Sequence, residues 1–320
     1  MKKWLSFTAS KDWFYRISFA NAGLRSVTTD LGGGTTVHCW VPKNRDGKKP
    51  NLLLLHGFGA NAMWQYKEVV RQFTAEYNVY VPDLQFFGRS WTAEEERTEG
   101  FQAESVMGAM QAQGVAGKMS VVGISYGGFV GYAMAARFPE AVERVVLCCA
   151  GVAVEEKDMK DGLFVVADVE EAATILVPQT PEKLKELTRL SFVRPLISNV
   201  PSYFLSDYIK VMCTKNAKEQ RELIQTALKG RKFSNLPKIT QPTLILWGEE
   251  DQIFPLELGY RLKRHLGSNA EMEVIKNAGH AVNLEKPKEF IRHLKSFLLI
   301  DRLLSHPSAP QYDVNSNKLH

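Results

Sequence analysis

The stretch Gly123-Ile124-Ser125-Tyr126-Gly127, with Gly128 directly after it, has the form Gly-x-Ser-x-Gly. Val121 and Val122 precede it and a helix-compatible run, 129–137, follows, so the serine stands between a strand and a helix. Small residues on both sides allow a sharp turn that holds the serine in a strained conformation. Its hydroxyl then stands clear of the main chain, at the positive end of the following helix. A serine hydroxyl is a poor nucleophile alone. It needs a histidine base and a carboxylate to orient that base. The pentapeptide by itself is weak evidence, so the partners must be found elsewhere in the chain.

Upstream, Asn51-Leu52-Leu53-Leu54-Leu55 is a short apolar run fit for a strand buried on both faces, and His56-Gly57-Phe58-Gly59 follows it. A loop there can supply one backbone N–H to an oxyanion hole, and the residue after the nucleophile supplies the other. These donors fall on Phe58 and Tyr126. Downstream, 242–248 reads as a buried strand ending at Gly248, with Asp251 just beyond and Glu249 and Glu250 as rival carboxylates. The short strand 272–275 leads into Asn277-Ala278-Gly279-His280. The expected acid is Asp251 and the expected base His280. Both lie in loops after strands, which in an open parallel sheet line the crevice at the carboxyl edge. His265 and His293 fall on amphipathic helices and read as surface residues. His56 reads as a structural hydrogen-bonder, and Asp83 as structural rather than catalytic.

These segments, with Pro82-Asp83-Leu84, Gly88-Arg89-Ser90, 247–255 and Leu284-Glu285-Lys286-Pro287, make the chain resemble the α/β-hydrolase superfamily over roughly residues 25–300. More narrowly it is similar to the cap-bearing plant esterases labelled monoacylglycerol-lipase-like or epoxide-hydrolase-like. The resemblance implies an α/β fold with a mostly parallel sheet flanked by helices and an inserted helical cap. It also places the acid at Asp251. One departure selects the chemistry. Epoxide hydrolases of this fold carry an aspartate at the elbow, whereas here the residue is Ser125, which points to acyl transfer. A second departure is Gln85-Phe86-Phe87, whose aromatics either narrow the site mouth or simply pack.

Alternating strand and helix patterns over 25–151 and 238–300 argue a parallel sheet covered on both faces. A glycine-rich hairpin, 25–41, opens it, and one helix is expected over 63–76. The interval 152–237 holds helix formers and no convincing strand, with helices expected at 169–177, 181–190, 201–212 and 217–229. This is the expected cap, with Phe164, Phe192, Phe204 and Tyr208 as candidate substrate-binding residues. Residues 1–24 read as a leader helix with Phe7, Trp13, Phe14 and Ile17 near helical spacing. It either packs on the body, the expected arrangement, or makes peripheral membrane contact. The polar stretch 301–320 reads as a disordered tail.

At 320 residues and a net charge of +5, with basic residues scattered, nothing suggests a nucleic-acid partner. Cys39, Cys148, Cys149 and Cys213 show no metal-ligand spacing. Adjacent Cys148 and Cys149 read as core residues facing opposite ways along a strand. That usage suits a reducing compartment, and with no secretory pattern the expected location is the cytosol. The expected function is a serine hydrolase of a small-to-medium apolar carboxylic ester, monoacylglycerol or an aromatic ester among them, working through an acyl-enzyme with no metal or organic cofactor. The alternatives are a hormone-type small-molecule receptor on the same fold, or an acyltransferase or lyase using the same three residues.

Overall fold

The computed structural model describes residues 6–299, apart from Leu196 and Ser198. The stretch 301–320, read from sequence as a disordered tail, lies outside the described residues, as do the first five residues of the leader. One eight-stranded sheet runs in the order β1-β2-β4-β3-β5-β6-β7-β8. Its strands are β1 Leu24–Gly32, β2 Thr35–Pro42, β3 Asn51–Leu55, β4 Asn78–Pro82, β5 Met119–Ile124, β6 Val142–Cys148, β7 Thr243–Gly248 and β8 Ala270–Ile275. The hairpin β1–β2 and the β2–β4 pair are antiparallel; every other pairing is parallel. Burial follows from position. Every residue of β3, β4, β5 and β7 is buried, as strands covered on both faces require. The edge strands β1 and β8 instead alternate.

From β3 the chain steps one way to β4, and from β5 the other way to β6. The loops leaving β3 and β5 therefore diverge and open a crevice at their carboxyl ends. The helices are α1 Phe7–Asn21, α2 Ala62–Tyr66, α3 Glu99–Ala112, α4 Tyr126–Arg137 and, after β6, α5 Lys157–Lys160, α6 Val169–Leu176, α7 Pro181–Ser191, α8 Ser202–Met212 and α9 Ala217–Leu228. After β7 come α10 Leu256–Leu266, α11 Val282–Glu285 and α12 Pro287–Leu298. Several begin where side chains cap them: Thr98 accepts from Phe101 N–H, Asp168 from Glu171 N–H, and Thr180, with proline next, from Lys183 N–H. No described helix is long and apolar enough to cross a membrane.

Two expectations need correction. The single helix expected over 63–76 is only the short α2, followed by a tight turn at Val70–Gln72. The adjacent β-branched Val69 and Val70 disfavour continuation, and the N–H groups of Val69, Gln72 and Phe73 bond three residues back. Cys148 and Cys149 do not face opposite ways. A positive φ of 47° at Cys149 breaks the alternation and leaves the two sulfurs 4.0 Å apart, both as free thiols.

Asp83, after β4, ties the antiparallel edge to the parallel centre. Its carboxylate accepts from His38 Nδ1 at 2.8 Å, Ala62 N–H and Arg89 N–H, while His38 Nε2 meets Ser26 Oγ at 2.8 Å. Burial alone would raise this carboxyl. The hydrogen bond and charge of His38, the nearby His56 and the Arg89 N–H outweigh it and hold Asp83 below its ordinary value. A depressed carboxyl adds stability above its unfolded pKa, and that stability is lost as pH falls through the folded value. Asp83→Asn should therefore lower unfolding free energy by about 2–4 kcal/mol at neutral pH. Urea titrations should show the gap to the parent protein narrowing in acid.

Candidate active site

Ser125 sits at the turn between β5 and α4 with φ 54° and ψ −122°. This conformation is rare for any residue with a Cβ and costs on the order of 1–3 kcal/mol. The glycines around it leave room for the turn. A Cβ on Gly123 would collide with the Gly127 carbonyl, and one on Gly127 with the carbonyl of Leu55. The Ser125 N–H donates to Cys148 O at 2.8 Å, which pins the turn to β6. Although serine at a helix start usually caps it, this hydroxyl makes no cap bond. It reaches His280 Nε2 instead, at 2.9 Å.

His280 lies in the loop after β8, and its Nδ1 is 2.8 Å from Asp251 Oδ2. The ionised carboxylate can only accept, so Nδ1 carries the proton and Nε2 accepts from the Ser125 hydroxyl. Asp251, after β7, is held by backbone as well: its Oδ1 accepts from the N–H groups of Ile253 and Phe254, both at 2.9 Å. Trp247 Nε1–H fixes that loop by donating to Phe254 O at 2.9 Å. The Phe254 ring lies 5.7 Å from the imidazole. Cys149 Sγ stands within 4.8 Å of both the Asp251 and His280 donor atoms. Burial pushes its thiol far above the ordinary value, so a neutral S–H stands beside the carboxylate.

Gly57 lets the loop after β3 pass against Ser125, where a Cβ would lie 2.7 Å from that of the serine. Gln65, which the sequence does not single out, holds this loop. It accepts from Gly57 N–H and donates to Gly57 O, both at 2.9 Å, and to Phe58 O at 3.0 Å. His56 Nε2 accepts from Leu84 N–H, so its Nδ1 donates to Gly57 O. Burial lowers its pKa, in keeping with the structural role expected of it. Among the described residues, the backbone N–H groups of Phe58 and Tyr126 have no hydrogen-bond partner. Glu285, another residue without a sequence role, accepts from Gly279, Val193 and Arg194 N–H groups and braces the histidine loop.

Over Ser125 lies a cavity of about 1010 Å³. Phe192, Phe204 and Tyr208 line it, together with Leu184, Leu187 and Phe58. Phe164 does not; it packs edge-on against Phe254, behind the histidine. Tyr208 also donates from its hydroxyl to Gly59 O at 2.7 Å, which ties α8 to the loop after β3. Phe86 and Phe87 are buried and neither lines the cavity; Phe87 packs edge-on to Phe58 and His56 and supports that loop, while the Arg97 guanidinium lies over the Phe86 ring.

With sheet, turn and crevice in view, comparison with known proteins gives the class. Residues 50–287 match the α/β-hydrolase fold family, and the chain belongs to it. It is 28% identical to the monoacylglycerol lipase ABHD6 of Mus musculus over 274 residues, covering 81% of this chain and 79% of that one. Among solved structures, a bacterial membrane phospholipase A superposes with a TM-score of 0.74 at 27% identity, covering 92% and 91% of the two chains. An esterase of Exiguobacterium antarcticum gives 0.70 at 19% identity, over 86% and 99%; it shows the fold.

The Ser125–His280 bond predicts reactivity independent of any substrate. An alkyl fluorophosphonate should label Ser125 stoichiometrically, and His280→Ala should slow labelling by about 100-fold or more. Intact mass and peptide mapping read this directly; labelling at another residue, or none, would contradict the geometry.

Proposed function

We propose that the protein is a serine hydrolase of apolar carboxylic esters that works through an acyl-enzyme. Ser125 Oγ attacks the ester carbonyl while His280 Nε2 takes its proton. Asp251 keeps the imidazole in the productive tautomer and stabilises its cation. The N–H groups of Phe58 and Tyr126 receive the oxyanion. His280 then protonates the leaving alcohol, and water, deprotonated by the same nitrogen, releases the acid. No metal or organic cofactor enters these steps. Helices α6–α9 serve as the cap that confines the substrate and excludes water. The four buried thiols suit the cytosol as the setting.

The observation that carries this reading is His280 bridging Asp251 and Ser125 at 2.8 and 2.9 Å beneath a largely apolar cavity. The relative named a monoacylglycerol lipase supports a monoacylglycerol as substrate; the aromatic lining from Phe192, Phe204 and Tyr208 suits an aromatic ester as well.

A panel of p-nitrophenyl esters, from acetyl to long acyl chains plus benzoyl, tests it. Ser125→Ala should lose several orders of magnitude in kcat while melting normally. Turnover equal to that control across the panel would reject the hydrolase and leave the receptor reading, which ligand binding without turnover would support. Gln65→Leu keeps all three catalytic side chains but frees the loop bearing Phe58. It should lower kcat by about 10- to 100-fold with little change in KM; an unchanged kcat would remove Phe58 as an oxyanion donor.

A further inference from the structure

Helix α1 is attached to the body by a face that mixes polar and aromatic residues. Thr8 N–H donates to Asp207 on α8 at 2.8 Å. Asp12 accepts from the Trp64 indole at 3.1 Å and the Asn61 amide at 3.2 Å, and pairs with Arg16 at 2.8 Å. Tyr15 and Phe19 complete that face, edge-on to Trp64 and Trp40. The opposite face carries Phe7, Trp13, Phe14 and Ile17, with Trp13 57% and Phe14 61% exposed. With Tyr15 and Phe19 already packed inward, a second aromatic face turned outward is more apolar surface than the helix needs to seat on its own protein. Exposed aromatics gathered on one face mark an interaction surface.

The surface continues onto α8. Phe7 packs edge-on against Phe204 at 5.7 Å, and Phe204 against Tyr203 at 5.4 Å; both α8 rings are exposed. It also runs into the cavity over Ser125, since Phe7, Lys11 and Phe204 line that cavity too. The charge there is positive. Lys11, Arg194 and Lys286 line the cavity, and its one lining carboxylate among the described residues, Glu285, is occupied by three backbone N–H groups. Aromatic rings with adjacent cations match the headgroup level of an anionic lipid surface. A protein seated on this face would cover the cavity mouth, whereas a lipid surface can also supply what enters it.

We propose that the outer face of α1 and the adjoining start of α8 dock on the surface of an anionic phospholipid bilayer and open the cavity over Ser125 onto it. Docking is a property of the surface alone; its use in catalysis rests on the hydrolase reading above.

The test uses the full chain with Ser125→Ala and vesicles of phosphatidylcholine, with and without phosphatidylserine. The protein should sediment with vesicles, more strongly when phosphatidylserine is present. Adding Trp13→Ala and Phe14→Ala, neither of which lines the cavity, should weaken binding by about tenfold or more with an unchanged circular-dichroism spectrum and melting temperature. No vesicle binding, or equal binding by the aromatic variant, overturns the proposal. So does self-association that depends on Trp13 in the absence of vesicle binding, which would make the occupant a second copy. With Ser125 restored, the aromatic variant should keep its rate on a soluble acetyl ester and lose it on monoacylglycerol in vesicles. Absence of all turnover would reject the hydrolase while leaving the binding result to stand or fall separately.

Discussion

The backbone of Ser125 is the constraint to which the surrounding structure is fitted. A positive φ at a residue with a side chain persists only where neighbours over-determine it. Here they do so from three sides. The N–H of Ser125 is taken by Cys148 O on β6, and Gly127 lets the start of α4 press on the carbonyl of Leu55. Gly57 lets the loop after β3 run against the serine's Cβ. Each contact comes from the buried end of a central strand or the loop directly after it, so the strain is carried by the core of the sheet. The outcome is a hydroxyl aimed at His280 and a helix start whose first N–H is unspent.

The partners are positioned by the same economy. Asp251 is fixed through main-chain donors rather than through long side chains, and the indole of Trp247 holds the loop that supplies them. His280 is steadied by Asp251 on one side and by Glu285 beneath its loop on the other. The loop bearing Phe58 is clamped by Gln65 from below and by Tyr208 from α8 above. Tyr208 therefore belongs to two structures at once. It is a wall of the cavity and a tether between the inserted helices and the prospective oxyanion donor, so motion of α8 cannot leave that loop untouched.

The sheet was legible because its central strands are short, largely apolar runs such as 51–55 and 243–247, each ending at a glycine or a motif loop. Ser125, Asp251 and His280 were legible for the same reason, since each follows a strand closely and the distances now join them. What the sequence concealed lies in long-range pairing. Gln65 has no local signature; its role arises because the short α2 brings its amide back to Gly57. Phe164 had the composition of a pocket residue, yet it packs against Phe254 instead. Alternation along a strand placed Cys148 and Cys149 on opposite faces, and one positive φ at the strand end reversed that. The 63–76 helix failed because a general helix pattern does not register a β-branched pair at a turn.

The leader shows the same limit most clearly. The aromatic stripe of α1 is visible in the sequence, but its direction is not. Hydrophobic periodicity gives the existence of a face and says nothing about what meets it. Here the direction is set by Trp64, Asn61 and Asp207, which offer α1 polar partners and so draw Thr8 and Asp12 inward. Satisfying those half-buried groups turns Trp13 and Phe14 outward, at a cost in exposed apolar area that folding alone does not recover. The same rotation sets Phe7 against Phe204 in the lining of the cavity. The contacts on the inner face of one helix thus fix both which way its outer aromatic face looks and which side chains it adds to the cavity wall.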